Sequence, residues 1–320
     1  MDWQQVDEGW GRRAAEAAYL FENMHWREYL YLLDQTGVGR GTRHLDIACG
    51  GGLAVRVACE RGAVVTGLDA SKRLAAVAAA RAPAADIRVG DMFNLPFDDH
   101  CFDVATSFRG IWGNCLDALR EARRVVRPGG KVGLSFWGHQ KKMQAYPLFA
   151  ALGQTTQEER ENTGTIVSIG LPGVAEQLMV EAGLEPGTRT HLRLHWEFPD
   201  VECAARTLAS IGPAYLAIQH LGEEVFMASV RKAAAGLWVE GAGVRAEVEV
   251  QFLVGEVPGS ASRALPTHPQ TPKRGRRTPC CYTPTRTKIV STTPRRWRGR
   301  KTRSSPANTS TSQSVSCRIH

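Results

Sequence analysis

The sequence predicts an α/β protein built on a doubly wound, mostly parallel sheet. Two observations carry this. Short apolar runs alternate with helical stretches through residues 44–137, and such alternation builds parallel strands joined and covered by helices. The runs also end on acids: residues 45–52 read Leu-Asp-Ile-Ala-Cys-Gly-Gly-Gly, and two later runs close on Asp69 and Asp91.

Taken in chain order, residues 12–33 place Ala14, Ala18, Leu20, Phe21, Met24, Tyr29, Leu30 and Leu33 at roughly helical spacing, which predicts one or two amphipathic helices before the sheet. A strand ending at Ile47 feeds a tight turn over Cys49–Gly52. The helix Leu53–Arg61 follows and is closed by Gly62. Val64–Asp69 is the second strand. Ser71 can cap a helix over Lys72–Arg81, because its hydroxyl can accept a free N–H of the first turn. Ile87–Asp91 and Phe102–Phe108 are the third and fourth strands. A helix over Leu116–Arg127 is stopped by Pro128-Gly129-Gly130, ahead of the fifth strand Lys131–Trp137. From 138 to 240 the pattern is mostly helical: Val174–Ala182, then 201–210 and 213–235 with a break at Gly212-Pro213. His191–Phe198 and Arg245–Val254 alternate as strands.

The glycine loop is the first chemical signal. Gly50 and Gly52 lack a Cβ, so their backbone can take unusual angles and approach a ligand closely. The helix start behind them offers free N–H groups and a positive dipole end. A dinucleotide fingerprint needs a third glycine at the sixth position, which here is Val55. Asp69 lies 23 positions after Asp46, where an acid at a strand end can accept bonds from ribose hydroxyls or serve a helix N-terminus.

Asp46, Ala48, Gly50 and Gly52, then Asp69, Asp91 and Arg127-Pro128-Gly129-Gly130, stand in an order that resembles the class I S-adenosylmethionine-dependent methyltransferases of the small-molecule type. The resemblance spans roughly residues 10–254. It implies a seven-stranded Rossmann-like sheet that ends in an antiparallel C-terminal hairpin, supplied by the last two strands, with a helical cap between them. It implies S-adenosyl-L-methionine as cofactor. Asp46, Ala48 (where the family often has glycine), Gly50 and Gly52 would form the loop. Asp69, with Ala70 beside it, would hold the ribose. Asp91 would meet the adenine amine and Met92 would flank the ring. Ser107 and Phe108 would present backbone groups to the amino-acid part.

The resemblance assigns no metal and leaves the catalytic residue unknown. Methyl transfer is an in-line displacement in which alignment supplies much of the rate, while a hydroxyl acceptor also needs a base. His25, on the N-terminal helix where the family often has a lid, and His139, after the fifth strand, are the candidates. Arg109, Trp112 and Asn114 lie in a loop at the carboxyl edge, where ligands bind in such sheets. No Asn-Pro-Pro-Tyr or Asp-Pro-Pro-Tyr follows the fourth strand, which argues against a nucleobase or glutamine amide acceptor. A small organic acceptor is expected. The rivals are a nucleic-acid methyltransferase and a catalytically silent cofactor-binding protein.

The formal charge of +8 is unevenly placed. Residues 257–320 hold 14 of the 40 basic residues, none of the 32 acids and eight of the 16 prolines, so residues 1–256 carry a net charge of −6. The expected organisation is a methyltransferase domain over 1–256, with cofactor binding in 34–137 and the cap and last strands in 138–256, and a disordered basic tail over 257–320. The tail reads as a dispensable segment, with an arm for nucleic acid as the other reading. The eight cysteines show no Cys-x-x-Cys spacing, no leader follows Met1, and no run reaches the length of a membrane span. A cytoplasmic setting is expected.

Overall fold

The computed structural model describes residues 6–156 and 167–259. Its strands are β1 (Arg43–Ile47), β2 (Val64–Asp69), β3 (Asp86–Val89), β4 (Phe102–Phe108), β5 (Val126–Trp137), β6 (Glu185–Pro186), β7 (Thr190–Phe198), β8 (Trp238–Val239) and β9 (Gly243–Glu256). They form one sheet in the order β3-β2-β1-β4-β5-β9-β6, with β7 and β8 also paired to β9. β1 to β5 are parallel. β9 runs antiparallel to β5 and, in the register Thr190↔Phe252 to Phe198↔Val244, to β7. β6 meets β9 at Gly255 and Glu256, on the side away from β5. β6 and β7 are therefore one interrupted edge strand, and the sheet has the seven-stranded plan with its antiparallel end. The order reverses between β1 and β4, which opens a crevice at their carboxyl ends.

Period-two alternation divides the sheet residues between two faces. Leu45, Ile47, Ala105, Leu134, Phe136 and Leu253 pack with Leu119, Ala122 and Met179 of helices Leu116–Val125 and Val174–Glu181. On the other face Val65 and Val104 pack with Leu33, Val55, Ala58 and Ala78. Further along that face, Trp196, Val248 and Phe252 pack with Leu208, Phe226 and Val230 of the cap helices Val201–Ala209 and Glu223–Ala235.

Several elements depart from their expected bounds for local reasons. The first helical stretch is not uniform: an α turn Ala14–Glu16 leads into a π-helical turn Ala17–Phe21, a 3-10 turn Glu22–His25 and the α-helix Trp26–Thr36. The helix from Leu116 ends at Val125, ahead of Pro128, and the Arg127–Gly130 segment joins β5. The residue before a proline resists the helical region, and proline offers no N–H to continue it. The expected helix over 213–235 is two, Gly212–Leu221 and Glu223–Ala235, because Gly222 takes φ 83° and ψ 151°, angles open to glycine alone. Val257, expected to begin the tail, is 1% exposed. It exchanges backbone bonds with Gly129 and Gly130, so the folded part continues past 256. The rest of the expected tail, from 260, lies outside the described residues.

Candidate functional site

The carboxyl ends of β1 and β2 bring Asp46 and Asp69 to the glycine loop, and Glu22 of the N-terminal segment reaches the same loop. The loop turns through left-handed backbone at Ala48 (φ 57°), Gly50 (φ 57°) and Gly52 (φ 78°). Ala48 is the strained member, since a Cβ disfavours that region. Packing by itself requires glycine at 52: a Cβ there would lie 2.7 Å from Cα and Cβ of Ala78. A Cβ on Gly50 would instead meet a side chain, Glu22 Oε1, at 2.6 Å.

Asp69 ends β2 and ties the loop down. Its Oδ2 accepts from Gly50 N–H at 2.8 Å and its Oδ1 from Ser71 N–H at 2.7 Å. Burial raises its pKa to about 6 against those two bonds. Ala70, the next residue, is half-buried. Ser71 caps the helix Lys72–Arg81 as expected, accepting from Leu74 N–H at 3.1 Å. Its hydroxyl also donates to Asp7, which in turn receives Arg73 at 2.9 Å. The start of the described chain is thereby docked on this edge.

Asp46 is reached across the sheet. His44 and Asp46 share a face of β1, and Thr106 stands opposite Asp46 on β4. Thr106 Oγ1 donates to Asp46 Oδ1 at 3.0 Å and meets His44 Nε2 at 2.7 Å. Having given its proton to Asp46, Thr106 accepts from His44. Burial holds His44 down, to about 3. Burial pushes Asp46 up to about 8, with the charges of Glu22 and Asp69 adding to it against the Thr106 bond. Asp46 is 1% exposed and its Oδ2 has no hydrogen-bond partner among the described residues.

The other expected contacts are placed but less committed. Asp91 lies two residues past β3, not at its end, and its Oδ1 accepts from Phe93 N–H at 2.9 Å in a local turn. Met92 is half-buried against the core. Ser107 Oγ donates to Ile47 O at 2.9 Å, which turns its side chain into the sheet. Phe108 meets Tyr29 edge-on with centroids 4.9 Å apart.

His25 does not fit a general base in this arrangement. His25 is fully buried. Its Nδ1 bonds Phe21 O at 3.0 Å and its Nε2 accepts from Trp196 Nε1 at 3.1 Å. Burial, with the Arg109 charge, keeps it neutral well below its ordinary value, but no lone pair is left to take a proton. His139 is exposed.

The sequence reading passed over Glu22, Glu28 and Arg81, which close this edge, and placed Arg109 at the carboxyl edge without a partner. Glu22 accepts from Gly51 N–H through Oε1 at 2.5 Å and from Arg81 Nη1 through Oε2 at 2.6 Å. Glu28 is buried and accepts from Arg109 Nε at 3.0 Å and Ser135 Oγ at 2.5 Å. The Arg109 guanidinium lies 5.0 Å from the Trp137 ring centroid and 5.4 Å from that of Phe21. Burial opposes its charge, but Glu28 and Tyr29 raise its pKa above the ordinary value. A left-handed φ of 60° at Arg109 sets this direction. A glutamate or arginine inside a helical pattern carries no sequence signal of such a role, because only the tertiary fold shows which face it lands on.

Comparison with known proteins agrees with this geometry. The profile of the methyltransferase domain matches residues 45–134. Malonyl-[acyl-carrier protein] O-methyltransferase of Erwinia pyrifoliae is 32% identical over 203 residues, 63% of this chain and 72% of that protein. The chain belongs to the class I S-adenosylmethionine-dependent methyltransferases. Demethylmenaquinone methyltransferase of Staphylococcus epidermidis is 36% identical over 115 residues, 33% of this chain and 47% of that protein. The chain thus spans about half the length of several curated methyltransferases it matches. The YcgJ protein of Bacillus subtilis superposes with a TM-score of 0.50 at 16% identity, covering 74% of this chain and all of that one. It shares the methyltransferase fold.

Proposed function

We propose that this methyltransferase moves the methyl group of S-adenosylmethionine to a small organic acceptor by in-line displacement. The observation that carries the reading is the unpartnered Oδ2 of buried Asp46 beside a left-handed glycine loop. A buried carboxylate oxygen without a donor is costly, and a ligand ammonium would satisfy it. The residues present therefore fit the cofactor. When bound, the cofactor supplies a methyl group already activated on a sulfonium. Asp46 and the loop 48–52 would hold its amino-acid part, with the backbone of Ser107 and Phe108 alongside. Asp69 and Ala70 would meet the ribose, and Asp91 and Met92 the adenine.

The protein's own part is alignment and exclusion of water. Phe21 of the N-terminal segment, Trp137 at the end of β5, Phe149 of helix Tyr146–Leu152 and Trp196 of β7 form one aromatic cluster, whose rings contact one another at 5.0–5.8 Å. The names of the relatives, including a 27-O-demethylrifamycin SV methyltransferase, support a small organic acceptor. No helix among the described residues is long and apolar enough to cross a membrane. A cytoplasmic setting remains part of the proposal, supported by Cys49, Cys59, Cys115 and Cys203 as free thiols.

The test is binding first and chemistry second. Calorimetric titration with S-adenosylhomocysteine should give a saturable site, weakened in Asp69→Ala and Asp91→Ala. Methyl-labelled cofactor incubated with a metabolite extract should then yield a labelled small molecule. No binding by the parent protein, or label only in RNA, would reject the reading.

A further inference from the structure

Glu22 forms contacts that the cofactor reading leaves unexplained. Its side chain is 13% exposed and Arg81 opposite is 5% exposed. Arg81 also donates to Ala18 O at 2.8 Å. A Cβ on Gly51 would lie 3.0 and 3.1 Å from the two oxygens of Glu22. A carboxylate thus rests directly on the glycine loop, between the N–H of Gly51, just before helix Leu53–Glu60, and a buried guanidinium. These two donors form an anion receptor.

Three facts make this more than a structural ion pair. Glu22, Asp46 and Asp69 crowd one loop, and burial pushes Glu22 itself up to about 7 despite Arg81. They are not a metal centre, since no group of three or more ligating side chains among the described residues could hold an ion. Asp46 Oδ2, next in the crowd, has no donor among the described residues. An anion receptor beside an unsatisfied carboxylate oxygen is complementary to a zwitterion, a carboxylate with its α-ammonium. Lastly, Glu22 opens a 3-10 turn that follows the π turn Ala17–Phe21. Such irregular helix can rearrange at lower cost than a continuous α-helix and is frequent at functional sites.

We propose that Glu22 is an internal placeholder for the carboxylate of the cofactor's amino-acid part, held by Gly51 N–H and Arg81 until the cofactor enters and takes over both donors. The proposal rests on the cofactor reading above. It makes Arg81 a cofactor-binding residue and Glu22 a built-in competitor that lowers apparent affinity by holding the competent state to a fraction of the population.

The test compares S-adenosylhomocysteine with 5′-methylthioadenosine, which lacks the amino-acid group, in calorimetric titrations of the full chain. In Glu22→Gln the receptor loses its internal anion, so S-adenosylhomocysteine should bind about tenfold tighter while 5′-methylthioadenosine stays within about twofold. Arg81→Met should weaken S-adenosylhomocysteine by about tenfold and again spare the shorter ligand. Unchanged 5′-methylthioadenosine binding shows that the adenosine end is intact in each variant. If Glu22→Gln does not fold, Arg81→Met decides. Unchanged or weaker S-adenosylhomocysteine binding in Glu22→Gln would overturn the placeholder. So would equal tightening of both ligands, which reports a loosened cover rather than exchange of carboxylates, or an Arg81→Met variant that binds both like the parent. Failure of the parent protein to bind either ligand would remove the cofactor reading and this proposal with it.

Discussion

Replacing Gly52 by alanine is expected to damage folding before it damages cofactor binding. Gly52 sits at φ 78°, and a Cβ there would lie 2.7 Å from Cα and Cβ of Ala78. Ala78 is helix backbone in Lys72–Arg81 and cannot swing aside as a side-chain tip can. The left-handed conformation costs an alanine about 1–2 kcal/mol, and overpacking a tight contact costs about 1–3 kcal/mol. The sum is about 2–5 kcal/mol, or about 4–20 °C in melting temperature for a domain of this size. Gly50→Ala is the control. Its φ of 57° carries the same conformational cost, but its Cβ meets only Glu22 Oε1 at 2.6 Å, the end of a flexible side chain. Thermal and urea unfolding of both variants beside the parent, followed by titration with S-adenosylhomocysteine, separates the roles. Gly52→Ala melting within about 2 °C of the parent, or losing less stability than Gly50→Ala, would refute the packing argument.

Removing Glu28 should be severe, because it leaves the Arg109 charge uncompensated in a buried site where Glu28 is 0% and Arg109 12% exposed. Glu28→Ala should lose about 3–5 kcal/mol in urea unfolding, and a loss below about 1 kcal/mol would mean the pair is solvated after all. Stability should also depend on pH. His25 and His44 are held neutral by burial, so their contribution rises with pH up to about 6.5, where the unfolded histidines lose their protons. Asp69, Glu22 and Asp46 are raised by burial to about 6, 7 and 8. The folded state keeps these protons after the unfolded chain has released them above about pH 4, so their contribution is lost progressively from there through those values. The three acids outweigh the two histidines from about pH 5 upward, so the melting temperature should fall from mildly acidic to alkaline pH, and a steady rise over that range would contradict it. Truncation after Gly259 should leave the melting temperature unchanged. Truncation after Glu256 should lower stability by about 1.5–3 kcal/mol for the lost burial of Val257, and equal melting of the two would show that Val257 contributes nothing.

What the sequence by itself determined was the parallel scaffold and the glycine loop with the acids beside it. Asp46, Gly50, Gly52 and Asp69 are legible because strand ends and tight turns impose local rules: a period of two, a glycine where φ is positive, an acid after the run. Ser71 as a helix cap follows from the same kind of rule and is found as expected. What only the tertiary structure decided are the contacts between distant elements. Glu22 reaches a loop 29 residues away and Arg109 a glutamate 81 residues away, and no local pattern encodes such meetings. Gly52 shows both levels at once. Its positive φ could be anticipated from the turn, but the neighbour that forbids a Cβ is a helix that the fold brings back over it. His25 shows the reverse: a histidine on an expected lid helix looks reactive in sequence, and the fold satisfies both its nitrogens with Phe21 and Trp196. Local geometry is written along the chain. Which polar atoms are satisfied, and by what, is settled only when the chain closes on itself.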